Sequence, residues 1–502
     1  MVSNQSQLSA EKILRLIKNK NSDFWVHLKE RQVLRLFHLA AVKVPAYGDF
    51  LKKNRIQPDK IKTFQDFQSV PFTSKNNYLR KYLLEKLTWD GSLKRPQVFT
   101  ATSGSTSEPF YFSRDNRLDW ESSIAHELFL RNDPDAGKEP TLVIVAFGMG
   151  VWIGGLITYK AFELASYRGY PLSILTPGIN KIEIFNALKK LAPHFKKVIL
   201  AGYPPFLKDI LDEAANNGVN LKKFNLRLIF AAESFTEKFR DYVINKAGIK
   251  NFYLDTMNIY GTADIGTMAY ETPAAILIRR LIVPKKNLFR SFFSDAGKTP
   301  TLCQYNPFFI NFEAPNGDII LTGNNTVPLI RYSIGDRGGV FNFDEAMEKF
   351  KQNGVNFKKE AVAASLTRHI YRLPFVYVYE RSDFSTTLYG LQIFPEIIKE
   401  TLLDKKLAEF LTGKFTLLTK YDSHQNQYLE INLEFRKNKE VGIYLKKYAL
   451  SKIIANLRIK SSEFRELHNY LKNRAVPRLV FWPYEYDVYF KPGIKQKWVK
   501  KI

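Results

Sequence analysis

Short apolar runs alternate with amphipathic runs along much of the chain. Over residues 10–90 apolar positions recur three and four residues apart, which predicts helices. Farther along, the apolar runs VIVAF, LSIL, VILAG and LRLIFAA are each followed by a stretch with helical periodicity. A regular succession of strands and helices is the signature of βαβ units, so the pattern predicts an α/β fold built on a largely parallel sheet.

The pattern changes twice in the second half of the chain. After residue 300 it becomes rich in strands, and near residue 380 a new succession begins. We predict a helix over 394–411, strands at FTLLTK and YLEINLEF, a helix over 444–457 and a strand at RLVFW. These elements indicate a smaller, mobile α+β C-terminal domain over 381–502, after a large N-terminal domain over 1–380.

The segment 141–159 carries no charge and approaches the length of a membrane span. Four glycines interrupt it, which favours a buried strand, a turn and the start of a helix over a span. The polar N-terminus lacks the apolar stretch of a secretory signal. The single cysteine, Cys303, can form no internal disulfide, so we expect a reducing, cytoplasmic compartment.

Charge is the unusual feature of the composition. Lys and Arg number 75 and Asp and Glu 49, a net charge of +26 that attracts anions such as nucleotides, coenzyme phosphates, nucleic acid or an acidic membrane. No compact basic cluster stands out, and a general bias towards lysine explains the charge equally well. The sequence therefore predicts no specific nucleic-acid partner.

The segment FTATSGSTSEPFYF (99–112) is the most informative stretch. Small hydroxyl residues around a glycine can present N–H and O–H donors to a polyanion such as a triphosphate. The loop is not of the Walker type, because no Gly-Lys-Ser/Thr follows. A solvent-exposed Ser/Thr turn is the alternative interpretation of the segment alone.

Three later segments favour phosphate binding over a solvent-exposed turn. They are AAESF (231–235), NIYGTAD (258–264) and PLIRYSIGD (328–336), the last predicted to end a strand in a glycine and a carboxylate. In this order the set resembles the adenylate-forming superfamily, and most closely the phenylacetate–CoA ligase family. The segments at 44–51, 66–75 and 146–155 are also similar to that family, and YERSDF (379–384) resembles its hinge into a mobile C-terminal domain.

The resemblance implies a reaction and its partners. A carboxylic acid, aryl or acyl, would be activated by ATP as acyl-AMP and then transferred to a thiol, with coenzyme A as the expected acceptor and another thiol or an amine left open. Mg²⁺ is implied with ATP, and a homodimer is compatible with the family. The alternative is a catalytically altered homologue that acts in surface-polysaccharide or secondary-metabolite assembly.

The resemblance also implies roles for individual residues. The Ser/Thr loop would hold the ATP phosphates, Glu233 would line the adenine and acyl site, and Tyr260 would stack on adenine. Asp336 would accept hydrogen bonds from the ribose. The ATP-binding residues implied in this way are Thr102, Ser103, Gly104, Ser105, Thr106, Glu233, Tyr260, Gly261, Thr262, Asp336 and Arg381.

Departures from the family pattern concern the catalytic residues. Ala263 lacks the hydroxyl that usually contacts the AMP phosphate, and Asp264 is one methylene shorter than the usual magnesium-binding glutamate. We still expect Asp264 to bind Mg²⁺ and to take part in catalysis. In the terminal segment FKPGIKQKWVKKI, Lys497 is the first candidate for the catalytic lysine and Lys495 the second, with a solvated basic tail equally open.

Overall fold

The computed structural model describes residues 9–94, 97–101, 110–294, 299–379, 386–439, 442–486, 488–490 and 499. The helices are α1 (Ala10–Asn19), α2 (Ser22–Lys43), α3 (Pro45–Lys53), α4 (Phe64–Gln68), α5 (Leu84–Leu87), α6 (Asn116–Leu130), α7 (Ile153–Ser166), α8 (Lys181–Lys190), α9 (Pro204–Glu213), α10 (Glu237–Ala247), α11 (Phe252–Asp255), α12 (Pro273–Ile282), α13 (Lys286–Phe292), α14 (Phe343–Gln352), α15 (Phe357–Ala363), α16 (Pro395–Thr401), α17 (Lys405–Ala408), α18 (Ile443–Lys460) and α19 (Ser462–Leu471).

The strands are β1 (Val98–Ala101), β2 (Tyr111–Arg114), β3 (Thr141–Ala146), β4 (Leu172–Leu175), β5 (Lys197–Gly202), β6 (Asn225–Ala231), β7 (Thr256–Thr262), β8 (Gly266–Tyr270), β9 (Thr301–Gln304), β10 (Ile310–Glu313), β11 (Asp318–Gly323), β12 (Leu329–Phe341), β13 (Phe375–Tyr379), β14 (Thr386–Leu388), β15 (Leu391–Ile393), β16 (Leu411–Tyr421), β17 (Gln427–Phe435) and β18 (Arg478–Trp482).

A central sheet of eleven strands organises the first part of the chain, in the order β10-β11-β12-β13-β9-β8-β7-β6-β5-β3-β4. Strands β4, β3, β5, β6 and β7 are parallel, and the remaining strands are paired antiparallel. Every residue of β3 and β5 is buried, because helices cover both faces of this half of the sheet. The predicted α/β class and its parallel sheet are confirmed.

Strand β12 is longer than the sequence suggests. We predicted that it ends at Gly335 and Asp336, yet it runs from Leu329 to Phe341. It pairs with β11 as far as Arg337, with a shift of register between Ser333 and Arg337, and from Arg337 onward it also pairs with β13 on its other edge. Gly335 has φ +85°, a backbone conformation that glycine adopts without strain, so β12 bends where its register with β11 shifts. Asp336 lies at this bend.

The N-terminal helical region is anchored to β12. Thr73 forms a parallel bridge with Tyr332. The amide of Thr73 donates to the carbonyl of Arg331 (3.0 Å), and the amide of Ser333 donates to the carbonyl of Thr73 (2.8 Å). The Arg331 guanidinium is buried, pairs with Glu313 at 3.0 Å and donates to carbonyls of the segment before Thr73. A segment far away in the sequence is thereby held against the central sheet.

The C-terminal part has an α+β arrangement, as predicted. Strands β16, β17 and β18 form one sheet, with β17 and β18 parallel. The hydrophobic core under this sheet is continuous with the core around β3, β5 and β6. The predicted boundary near residue 380 falls outside the described residues, so the division into two domains stays a prediction.

Two helices of the C-terminal part differ from the sequence-based prediction. The helix predicted over 394–411 is instead α16 and α17, separated by a short break, and β16 already begins at Leu411. Asp404 caps α17 through the amides of residues 406 and 407, and a cap residue starts a new helix because its own backbone is not helical. Helix α19 was not predicted.

The uncharged segment 141–159 forms strand β3, a turn and the start of α7. Within the ranges described above, no helix combines the length and the apolar character needed to cross a membrane.

Gly338 should be intolerant of a side chain. A Cβ at this position of β12 would lie 1.9 Å from the carbonyl oxygen of Tyr377 on β13, and backbone cannot move aside cheaply. We expect Gly338→Ala to destabilise the protein by about 1–3 kcal/mol, the usual cost of overpacking. Thermal unfolding measures it. Gly137→Ala is the control, because nothing lies within 4 Å of that Cβ position; equal melting temperatures for the two variants would contradict the β12–β13 geometry.

Candidate active site

A cavity of about 320 Å³ lies at the carboxyl ends of the parallel strands. Residues that directly follow β3, β5 and β6 line it, among them Gly148, Tyr203 and Glu233. The end of β7 and the bend of β12 form another wall. In open α/β sheets ligands bind at this edge, because loops that leave neighbouring strands converge there. The cavity is therefore the candidate active site.

Six of the predicted site residues meet in this cavity: Glu233, Tyr260, Gly261, Thr262, Asp264 and Asp336. They come from different strands and loops, so only the fold brings them together. Ala101, which directly precedes the predicted phosphate loop, also lines the cavity. The loop itself (102–106), Arg381, Lys495 and Lys497 lie outside the described residues, and their roles stay predictions.

Tyr260 and Asp336 form one polar pair of the cavity. The Tyr260 hydroxyl donates to Oδ2 of Asp336 at 2.6 Å. The Tyr260 ring is stacked with Phe312, at 6.3 Å between centroids, and Phe312 is fully buried. Packing on one side and the hydrogen bond at the tip hold the ring, so the pair presents a fixed aromatic face next to a carboxylate.

Glu233 connects the cavity to the C-terminal part. The amide of Gly390 donates to Oε1 of Glu233, and the side-chain amide of Gln427 donates to Oε2 at 2.8 Å. Ala232 just before it has φ +74°, an uncommon conformation for a residue with a side chain. Glu233 thus lines the cavity, and both of its carboxylate oxygens accept bonds from residues beyond 386.

The hairpin β14–β15 closes the cavity opposite the sheet. Its two turn residues, Tyr389 and Gly390, have φ +48° and +83°, the combination of a tight two-residue hairpin turn. A Cβ on Gly390 would lie 2.4 Å from the Tyr203 ring. Only glycine allows the hairpin to approach this closely, so the fit of the two parts depends on Gly390.

Asp264 is buried, with 3% of its side chain exposed, and both of its oxygens have partners. Lys75 Nζ lies 3.3 Å from Oδ1, and the Tyr332 hydroxyl donates to Oδ2 at 2.7 Å. The described residues contain no group of three or more His, Cys, Asp or Glu side chains able to hold a metal ion. Asp264 is thus paired with a positive charge of the protein itself, and its role as a Mg²⁺ ligand stays a prediction.

Thr262 carries a buried hydroxyl that has no hydrogen-bond partner among the described residues. Buried polar groups are nearly always hydrogen-bonded, so an orphan that lines a cavity indicates a ligand. The adjacent Ala263 cannot supply that group. Thr262 is therefore a candidate hydroxyl donor of the cavity.

Sequence reasoning missed several residues that line the cavity. Tyr203 follows β5, while Glu463 and Glu466 lie three residues apart on α19. Burial raises the pKa of Glu463 to about 7, partly offset by Trp152, and burial also raises the pKa of Glu466. The apolar spacing of 462–471 could have predicted α19, but no local signal shows that its carboxylates face the sheet.

Lys75 was also missed as a site residue, although its segment 66–75 marked the family resemblance. Its ammonium group lines the cavity and lies 5.5 Å from the centre of the Phe112 ring. Nothing in the segment shows that its lysine meets a residue of the 258–264 segment.

Comparisons with known proteins agree with this picture of the fold. No protein-family model matches the chain. The chain is 25% identical over 246 residues to a phenylacetate-coenzyme A ligase from Pseudomonas putida, which is 48% of this chain and 51% of that protein. The match thus spans about half the length of this curated relative.

Two crystal structures of a 2-hydroxyisobutyryl-CoA ligase are similar in fold. In complex with 2-HIB-AMP and CoA in the thioesterification state, that enzyme has a TM-score of 0.62, with 16% identity, 96% of this chain and 91% of the other covered. In the post-adenylation state with 2-HIB-AMP the TM-score is 0.51, with 14% identity, 97% of this chain and 91% of the other covered.

In fold the chain is similar to a 2-hydroxyisobutyryl-CoA ligase, and in sequence about half of it is similar to a phenylacetate-coenzyme A ligase. The resemblance drawn from the motifs is confirmed at this level.

Glu463 should make stability depend on pH. Because its pKa is about 7 in the folded protein and 4.5 without burial, the unfolded chain loses this proton first as pH rises. The free energy of unfolding should therefore fall between pH 4.5 and 7, by roughly 3 kcal/mol, and stay level above pH 7. Glu463→Gln, a mimic of the protonated acid, should unfold at a higher temperature than wild type at pH 8 and at nearly the same temperature at pH 5.

The same substitution at the exposed Glu409 is the control for this experiment. A stability difference between Glu463→Gln and wild type that is equal at pH 5 and pH 8 would show that Glu463 is not protonated in the folded state.

Proposed function

We propose that the protein activates an organic carboxylic acid with ATP and transfers the acyl group to a thiol, with coenzyme A as the expected acceptor. One observation carries the proposal. Six described residues, five that the family pattern assigned to the nucleotide and Asp264 that it assigned to the metal ion, line a single cavity on a fold similar to that of a 2-hydroxyisobutyryl-CoA ligase. An aryl acid, as in the curated relative, is one candidate substrate, since Trp152, Tyr203 and Ile157 line the same cavity.

In the first half-reaction the carboxylate of the acid would attack the α-phosphorus of ATP, giving acyl-AMP and pyrophosphate. Asp336, oriented by Tyr260, would accept hydrogen bonds from the ribose hydroxyls. The Thr262 hydroxyl would donate to the α-phosphate. Lys497, or Lys495, would stabilise the charge on the α-phosphate and carboxylate, and the loop 102–106 would hold the departing phosphates.

In the second half-reaction a thiol would attack the acyl carbon and displace AMP. The described arrangement supports this step, since its TM-score is higher against the thioesterification state of the solved ligase than against the post-adenylation state. The bonds from Gly390 and Gln427 to Glu233 would hold the C-terminal part in that arrangement. A rotation of that part about the segment near residue 380 would separate the two half-reactions.

The first test is pyrophosphate release from ATP with a panel of aryl and aliphatic carboxylic acids, with and without coenzyme A. We expect release with at least one acid, and thioester only when coenzyme A is present. If pyrophosphate is released but the acyl group is transferred only to an amine, the acceptor is an amine and not coenzyme A. No release with any acid, although ATP binds, would favour the catalytically altered homologue considered above.

Asp336→Ala should weaken nucleotide binding. The substitution removes a charge-assisted hydrogen bond to the ribose, worth about 1.5–3 kcal/mol, so we expect ATP affinity to fall roughly tenfold or more by calorimetry. Asp318→Ala is the matched control, because Asp318 is half exposed, pairs with Arg337 and does not line the cavity. Unchanged affinity in Asp336→Ala would remove this residue from the site.

A further inference from the structure

Lys75 is held in place by backbone bonds two residues away. The bridge between Thr73 and Tyr332 is reinforced by the Thr73 hydroxyl, which donates to the carbonyl of Ile330 at 2.8 Å. This one bridge brings both Lys75 and Tyr332 to Asp264, on opposite oxygens of its carboxylate. The lysine is therefore a positioned group and not a solvated surface charge.

The burial of the pair leaves the ammonium group available to a ligand. The side chain of Asp264 is 3% exposed and that of Lys75 is 26% exposed, so the lysine is the accessible member of the ion pair. An ammonium group has three N–H donors, of which Asp264 accepts from one side. Both residues line the cavity, so the remaining donors can act there.

A second donor lies nearby in the chain. Thr262 precedes Asp264 by two residues, lines the same cavity and has its buried hydroxyl without a partner among the described residues. A hydroxyl donor together with an ammonium group selects an anion. Asp336, proposed to bind the ribose, lies in the same cavity, so the anion that fits is the phosphate of a nucleotide bound there.

We propose that Lys75 binds the nucleotide phosphate, and that it supplies from the protein the positive charge that the family resemblance assigned to a metal ion at Asp264. The inference rests on the proposed function, since it assumes that the cavity holds a nucleotide. Asp264 then acts as the residue that positions Lys75. An ammonium group in this position stabilises the negative charge of the phosphate. Because the side chain is already held in place, binding does not have to order it.

Adenosine and AMP are the probes that isolate the phosphate. Calorimetry with the full-length protein, in Mg²⁺ and in a chelator, compares wild type with Lys75→Met. We expect the variant to bind AMP at least about tenfold more weakly and adenosine within about twofold of wild type. Wild-type affinity for AMP should be the same with Mg²⁺ and with the chelator. Lys43→Met is the control, because Lys43 pairs with Asp90 outside the cavity.

The double variant Lys75→Met/Asp264→Asn separates binding from folding, because Lys75→Met alone leaves Asp264 buried without its counter-ion. The double variant should recover thermal stability and still bind AMP weakly. Recovery of AMP affinity would show that Lys75 only neutralises Asp264 and would overturn the inference.

Loss of wild-type AMP binding in the chelator would also overturn the inference. If wild type binds neither adenosine nor AMP, the proposed function fails too; if it binds both and Lys75→Met changes nothing, only this inference fails.

Discussion

Strand β12 bends at Gly335 and Asp336, where its register with β11 shifts, and the candidate active site is built around that bend. Before the bend the strand accepts the bridge from Thr73, and after it the strand pairs with β13 as well as β11. The bend places Asp336 in the cavity, while the bridge delivers Lys75 to Asp264. The backbone of β13 lies so close to Gly338 that no larger side chain fits at this position of β12.

The C-terminal part completes the cavity through buried polar contacts. Besides the bonds to Glu233, the Arg474 guanidinium lies 2.6 Å from Asp209 on α9, and the Tyr389 hydroxyl donates to the same carboxylate. Asp209 is 1% exposed, and Lys181 also faces it at 3.5 Å. Buried charged contacts contribute little net stability but are costly when one partner is left alone, so they favour one arrangement of the two parts over loosely packed ones.

Most elements of the fold could be predicted because their signals are local. Buried runs such as β3 and β5 are short and apolar after their first residue, and helices of regular periodicity follow them. The prediction was wrong where a residue far away in the chain decides the outcome. Strand β12 continues to Phe341, well beyond Asp336, because β13, more than thirty residues later, offers a partner. The helix predicted over 394–411 differs for a local reason, because Asp404 caps a separate helix, α17.

The sequence by itself determined the kind of site: a carboxylate after a strand, an aromatic next to a glycine, and hydroxyl residues, in an order typical of the adenylate-forming superfamily. It also identified six residues that line the cavity. Only the tertiary structure decided which of these groups interact. Asp264 faces Lys75 and Tyr332, and Glu233 faces Gly390 and Gln427. A motif records the identity of a residue and its chain neighbours, whereas the charge and hydrogen-bonding state of a buried carboxylate depend on which side chains folding brings within about 4 Å of it.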